Sequence, residues 1–141
     1  MKKILIVTGG SGGHVLPALS MFEHLNQTYE VELVTDKRGS KFINKKNYHF
    51  NLIDVPNLFS NVYMLPVNIF RFLLSIFKSY FFLKEKNINY LISTGGYMSI
   101  PLCIASRFLK IEIILFEPNS VLGRANKLMI SISKKIICYK K

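Results

Sequence analysis

At 141 residues, half of them hydrophobic, the chain is long enough to bury a core and too apolar to be disordered. Its net charge of +11, from 19 Lys and Arg against 8 Asp and Glu, indicates an anionic partner. Lys outnumbers Arg by 15 to 4, a skew that genome composition alone can also produce, so charge does not identify the partner. No nucleic acid is expected, because the aromatic residues cluster with aliphatic ones on one helix and are not interleaved with Lys and Arg.

Strand-like apolar segments alternate with helical patterns along the whole chain. The strands are predicted at 3–8, 30–35, 49–55, 89–93, 111–116 and 135–139, and the helices at 14–27, 39–46, 66–86, 101–109 and 123–133. Several strands are apolar on both faces, which is typical of a parallel sheet covered by helices on both sides. The sequence therefore predicts one doubly wound, Rossmann-like α/β domain over residues 1–141, with ligands bound beyond the carboxyl ends of the strands.

The first strand leads directly into a glycine-rich stretch, TGGSGGHVLPAL, at residues 8–19. Its loop consists of four glycines around one serine: Gly9, Gly10, Ser11, Gly12 and Gly13. A glycine loop between a buried strand and a helix N-terminus offers backbone N–H groups and the helix dipole to an anion, usually phosphate. The dinucleotide fingerprint G-x-G-x-x-G does not fit, because it needs a glycine at Val15 or at Ser11. The P-loop pattern fails as well, because it needs a glycine at His14.

Two later loops also follow predicted strands. The segment STGGYMSIP, residues 93–101, repeats the order of strand, Gly-Gly pair and helix start. The segment FEPNSVLGRANK, residues 116–127, follows the fifth strand and is rich in polar side chains. Because the strands are parallel, all three loops are expected at one edge of the sheet.

With these loops the chain resembles the N-terminal domain of the MurG family, peptidoglycan glycosyltransferases that add N-acetylglucosamine to lipid I and so form lipid II. Three groups of residues carry the resemblance: Gly9 to Val15 with Pro17, Ala18 and Leu19; Gly95, Gly96 and Tyr97 with Ser99 and Pro101; and Glu117 and Asn119 with Gly123, Asn126 and Lys127. One departure lies in the third group, where the family usually has His-Glu-Gln-Asn. Here the residues are Phe116, Glu117, Pro118 and Asn119, and the proline removes a backbone donor.

The resemblance implies a two-domain GT-B enzyme whose N-terminal domain binds the lipid-linked acceptor and whose C-terminal domain binds UDP-GlcNAc. The chain matches only the first domain, so the donor is expected on a missing C-terminal domain or on a partner chain. Two alternatives remain open: a one-domain subunit that binds a polyprenyl-diphosphate sugar beside a separate donor-domain partner, and an inactive truncated remnant. No cofactor and no metal are expected, and the implied location is peripheral, on the cytoplasmic face of the bacterial plasma membrane.

The resemblance also assigns roles to individual residues. His14 is the expected general base for the acceptor hydroxyl, since imidazole accepts protons near neutral pH; a phosphate-binding or structural role remains the alternative. The expected contacts to the acceptor and its diphosphate are Gly9, Gly10, Ser11, Gly12, Gly13, Gly95, Gly96, Tyr97, Glu117, Asn119 and Asn126.

The predicted helix at 66–86 has an unusually broad apolar surface. Two neighbouring stripes form it, one of Phe70, Leu73, Leu74, Phe77 and Phe81 and the other of Ile69, Phe72, Ile76, Tyr80 and Leu83. Together they are wider than the single stripe that packing against one sheet requires. One stripe is therefore expected in the core and the other against lipid, with Phe72, Ile76, Arg71 and Lys78 as the membrane contacts. Packing against a partner chain is the alternative.

Overall fold

The computed structural model describes residues 2–56 and 62–138. Its six strands are β1 (Lys3–Val7), β2 (Glu30–Thr35), β3 (Asn51–Leu52), β4 (Tyr90–Ser93), β5 (Glu112–Glu117) and β6 (Lys135–Cys138). They form one sheet in the order β3-β2-β1-β4-β5-β6, and every neighbouring pair is parallel. The chain order reverses between β1 and β4, and such a reversal opens a crevice at the carboxyl edge of the sheet. The predicted fold class is confirmed.

In the described part of the chain, four helices cover the sheet: α1 (Gly12–Leu25), α2 (Leu65–Glu85), α3 (Ser99–Phe108) and α4 (Arg124–Met129). Successive side chains of a strand point to opposite faces, and the two faces of β1 enter different cores. Ile4 and Ile6 pack in a cluster with residues of α1, whereas Leu5 and Val7 pack in a second cluster with residues of α2, α3 and α4. Burial on both faces explains why the strand is an unbroken apolar run.

Several predicted elements are shorter in the structure. Only Asn51–Leu52 of the predicted strand 49–55 pairs with a neighbour, at the edge of the sheet. The predicted helix 39–46 is a single 3₁₀ turn, Gly39–Phe42. Beyond it, the backbone amide of Lys46 donates to the Asn44 side chain, a local bond that competes with helix formation. Part of the loop predicted at 55–65 lies outside the described residues.

Helix α1 begins two residues earlier than predicted. Ser11 has an extended backbone (φ −121°, ψ 159°) and occupies the N-cap position. Its carbonyl accepts hydrogen bonds from the amides of His14 and Val15. Gly12 and Gly13 therefore form the first turn of the helix and are not part of a free loop, despite the low helix propensity of glycine.

Candidate functional site

The first glycine loop is held to the neighbouring strand by Asp36, which follows β2. One carboxylate oxygen of Asp36 accepts hydrogen bonds from the amides of Gly10 (3.0 Å) and Gly39 (2.7 Å). Gly10 has a φ of +82°, a conformation that favours glycine. At Gly9 a Cβ would lie 2.7 Å from Cγ of Met98. The fold therefore requires glycine at both positions, whether or not the loop binds a ligand. No motif in the sequence indicates this contact between Asp36 and the loop.

Gly13, in the first turn of α1, has no such internal requirement. A Cβ there would meet only the Ser11 hydroxyl, at 3.7 Å. Within residues 2–56 and 62–138, neither Gly12 nor Gly13 donates its amide to an acceptor. Two free N–H groups at the positive end of a 14-residue helix are the kind of donors through which helix N-termini bind anions.

The second glycine loop lies directly against the first. Gly95 and Gly96 have φ angles of +98° and +91°. A Cβ on Gly96 would be 2.9 Å from the carbonyl oxygen of Gly9, and a Cβ on Gly95 would be 3.1 Å from Cε1 of His14. The structure therefore brings together the two loops that the sequence places at one sheet edge.

Tyr97 connects this second loop to α2. Its ring packs against the ring of Phe72, with the centroids 5.9 Å apart. The tyrosine also lines a cavity of about 460 Å³ beside the first loop, which Asp36, Lys37, Arg38 and Asp54 border on the other side.

The third loop is organised around the buried carboxylate of Glu117, which is 1% exposed. It accepts hydrogen bonds from the amide (3.1 Å) and side chain (2.9 Å) of Asn119, from the amide of Gly123 (2.7 Å) and from the side chain of Asn126 (3.1 Å). Burial raises the pKa of Glu117, but these donors outweigh it and leave the pKa below its ordinary value.

Glu117 and Asn119 were both expected to contact the acceptor, yet both carboxylate oxygens of Glu117 are bonded within the loop. Asn119 is exposed, with its side-chain nitrogen on Glu117. Both residues are therefore placed to shape the loop. Pro118 is compatible with this arrangement, since the donors come from the residues around it.

His14 and Asn126 border a cavity of about 370 Å³ between the second glycine loop and α4. The Asn126 side chain donates to the carbonyl of Phe116 (3.2 Å) and to Glu117. Its Oδ1 and the Nδ1 of His14 are buried, and neither has a hydrogen-bond partner in the described part of the chain. Two unpaired polar atoms beside a cavity indicate that a ligand or water completes the site.

The outward face of α2 differs from the predicted one. Phe72 and Ile76 pack against the core cluster and are not the outer surface, which corrects their assignment as membrane contacts. The exposed apolar residues are those of the other stripe, together with Val67 and Ile69 near the start of the helix: Val67, Ile69, Phe70, Leu73, Leu74, Phe77 and Phe81. Arg71 and Lys78 are exposed, as a membrane contact requires, and border a cavity of about 360 Å³ with Asp54.

By length and composition, α2 is the single helix among the described residues that could cross a membrane. Its inward side, however, carries the buried side chains of Asn68, Ser75, Ser79 and Leu83. These residues face the rest of the domain, so α2 has one buried face and one exposed face.

Another cavity, about 660 Å³, lies away from the glycine loops. It is an apolar groove on the sheet face beside α1, lined by residues such as Met21, Tyr90 and Ile114. It contains no unpaired buried polar atom of the described residues. Nor do three or more His, Cys, Asp or Glu side chains gather anywhere in residues 2–56 and 62–138 to hold a metal ion.

Comparison with known proteins agrees with this architecture. The model of the glycosyltransferase family 28 N-terminal domain matches residues 4–138. The UDP-N-acetylglucosamine–N-acetylmuramyl-(pentapeptide) pyrophosphoryl-undecaprenol N-acetylglucosamine transferase of Pelagibacter ubique is 48% identical over 98% of this chain. The Rickettsia typhi protein of the same name is 42% identical over 96%. The chain spans 39% and 35% of the length of these two relatives.

Solved structures show the same fold. The crystal structure of Acinetobacter baumannii MurG aligns with the whole chain at a TM-score of 0.84 and 24% identity, with 42% of that protein covered. A UDP-N-acetylglucosamine 2-epimerase aligns over 97% of this chain and 41% of its own, at a TM-score of 0.68 and 8% identity.

Proposed function

The chain belongs to glycosyltransferase family 28 through the N-terminal domain of that family, and on this premise we propose that it is the acceptor-binding half of an inverting GlcNAc transferase. The acceptor is lipid I, undecaprenyl-diphosphate-linked N-acetylmuramoyl-pentapeptide, and the product is lipid II of peptidoglycan synthesis. The observation that carries the proposal is the pair of free amides at Gly12 and Gly13, which can hold the diphosphate at the start of α1.

His14 is the residue best placed to act as the general base. It follows the two free amides directly, and its ring lies against Gly95 on the wall of the cavity. Nδ1 of the imidazole has no hydrogen-bond partner among the described residues. A sugar linked to the diphosphate would therefore reach the ring without displacing a protein contact. General-base catalysis contributes about 10²- to 10⁴-fold to a rate.

UDP-GlcNAc requires a second binding unit, which we place outside these 141 residues, in the same polypeptide or in a partner chain. The acceptor site faces the carboxyl edge of the sheet, the edge at which open α/β sheets bind ligands. A donor unit would dock over that edge and present the sugar to the hydroxyl held beside His14.

The exposed face of α2 is proposed to rest on the membrane. Its five-residue apolar stripe, led by Phe70 and Phe77, is flanked by the cations Arg71 and Lys78. Apolar side chains that enter the headgroup region beside cations that attract anionic lipid are typical of helices lying in the interface. Because the other side of α2 is packed in the core, the helix lies on the bilayer and does not cross it. The protein is then peripheral, on the cytoplasmic face of the bacterial plasma membrane.

The proposal is tested with a chimera in which this chain replaces the corresponding part of the Pelagibacter ubique relative. We expect the chimera to transfer radiolabelled GlcNAc from UDP-GlcNAc to lipid I. In that chimera His14→Ala should lower kcat about 10²- to 10⁴-fold and leave the Kd for lipid I nearly unchanged. A folded chimera without transfer would contradict the proposed function. A His14→Ala chimera that loses lipid I binding but keeps kcat would make the histidine a phosphate ligand.

A further inference from the structure

The cavity beside α4 has the size of a pocket for one sugar. Its volume of about 370 Å³ is at the lower end of the range for ligand pockets, about 300–1,000 Å³. It is large enough for a sugar ring with small substituents. Its lining includes His14, Gly95, Ile100, Ala125, Asn126 and Leu128.

The orientation of the Asn126 side chain is set by its surroundings. Both partners of its nitrogen, the Phe116 carbonyl and the Glu117 carboxylate, can only accept hydrogen bonds. The nitrogen must therefore face them, and Oδ1 is left as the free polar atom. Asn126 is 1% exposed, and Oδ1 has no donor among the described residues. A ligand that enters the cavity can satisfy it only with an N–H or O–H group.

Another part of the cavity lining is apolar. Ile100, Ala125 and Leu128 line the same cavity. Arg124, an exposed cation, also lines the cavity and could pair with an anion. A phosphate or a carboxylate would nevertheless bring no proton to Oδ1, which would stay unpaired. A hydroxyl would satisfy Oδ1 but would leave the apolar wall without a contact. A secondary amide that ends in a methyl group satisfies both.

We propose that this cavity recognises the 2-acetamido group of the acceptor sugar, whose N–H donates to Oδ1 of Asn126 while its methyl group packs against Ile100, Ala125 and Leu128. This inference rests on the proposed function and adds to it a group that selects the acceptor. An acceptor with a hydroxyl in place of the acetamido group would still bind through its diphosphate but would lose both contacts.

Binding to the 141-residue chain is measured by calorimetry with three ligands. They are a short-chain prenyl diphosphate, the same diphosphate carrying an N-acetylated amino sugar, and its analogue with a 2-hydroxyl group. We expect the acetamido ligand to bind at least about tenfold more tightly than the hydroxyl analogue. Asn126→Ala and Leu128→Ser should each bring this ratio towards one. Leu128 is 64% exposed, so its replacement leaves the core intact, and Leu52→Ser, at 54% exposure on β3, is the matched control.

The outcomes separate this inference from the function on which it rests. If the prenyl diphosphate does not bind, the proposed function fails and the acetamido pocket with it. If the diphosphate binds but the two sugars bind equally, only the acetamido pocket is overturned. The same holds if the preference survives both Asn126→Ala and Leu128→Ser, because the group is then recognised elsewhere.

Discussion

Replacing Gly13 with alanine should separate stability from ligand binding. Gly13 is in the first turn of α1, and a Cβ there meets only the Ser11 hydroxyl, at an ordinary contact distance of 3.7 Å. Within a helix, alanine is more favourable than glycine by about 0.5–1 kcal/mol in the free energy of folding. The variant should therefore be more stable by up to that amount. For a domain of this size, that corresponds to a rise in Tm of about 1–4 °C.

A phosphate held by the free amides would approach the backbone of Gly13, and the added methyl group would compete with it for the open space there. Losing one charge-assisted hydrogen bond to a phosphate oxygen costs about 1.5–3 kcal/mol, so the Kd for a short prenyl diphosphate should rise roughly 10- to 100-fold. Thermal unfolding by circular dichroism and calorimetric titration measure the two effects. Ser20→Ala, an exposed position on the same helix, controls for helix propensity and should leave the Kd unchanged. A Gly13→Ala variant that binds the diphosphate as tightly as the parent would refute a ligand role for these amides.

Three further changes test other parts of the structure. Phe77→Ser should reduce cosedimentation with anionic vesicles severalfold, whereas Phe108→Ser, a similarly exposed phenylalanine on α3, should not. Arg71→Glu with Lys78→Glu should weaken vesicle binding most at low salt, and unchanged sedimentation would mean that α2 does not touch lipid. Glu117→Gln should destabilise the fold at neutral pH, as followed by urea unfolding. Because the folded-state pKa of Glu117 is lowered, its contribution is full above the ordinary glutamate pKa of about 4.3 and is lost as the pH falls through the folded-state value. A deficit that did not shrink in acid would contradict this role.

The sheet and the meeting of its loops were predictable because they follow from periodicity and from parallel strand direction. Unbroken apolar strands require burial on both faces, and parallel strands place their carboxyl ends together. The contact between Gly96 and Gly9 is the outcome of both rules. The roles of Asp36 and Glu117 could not be predicted from the sequence. An acidic residue at the end of a strand looks the same in the sequence whether its carboxylate binds a ligand or the backbone amides of a nearby loop.

The outer face of α2 was predicted wrongly because both of its stripes consist of large aliphatic and aromatic residues. What distinguishes them is the small residues beside one stripe. Ser75 and Ser79 are one turn apart and buried on the inward side, where small side chains allow a close approach to the rest of the domain. The Ser75 hydroxyl donates to the carbonyl of Phe72 (2.6 Å), so its polarity is satisfied within the helix. The position of these small residues therefore indicates which face of α2 is buried, and the hydropathy of the two stripes does not.

With α2 resting on the membrane as proposed, the contact between Phe72 and Tyr97 would set the height of the site above the bilayer. An α-helix with its side chains is about 10–12 Å across, so a loop packed on the inner side of α2 stands about that far from lipid touching its outer side. The headgroup layer of a membrane is about 5–7 Å deep on each side, since a bilayer of about 40–45 Å contains about 30 Å of hydrocarbon. The glycine loops would then stand just outside the headgroups, at the level of a diphosphate whose prenyl chain is still immersed. The acceptor could be modified without being lifted from the membrane, and the product could diffuse away in the plane in which it arrived.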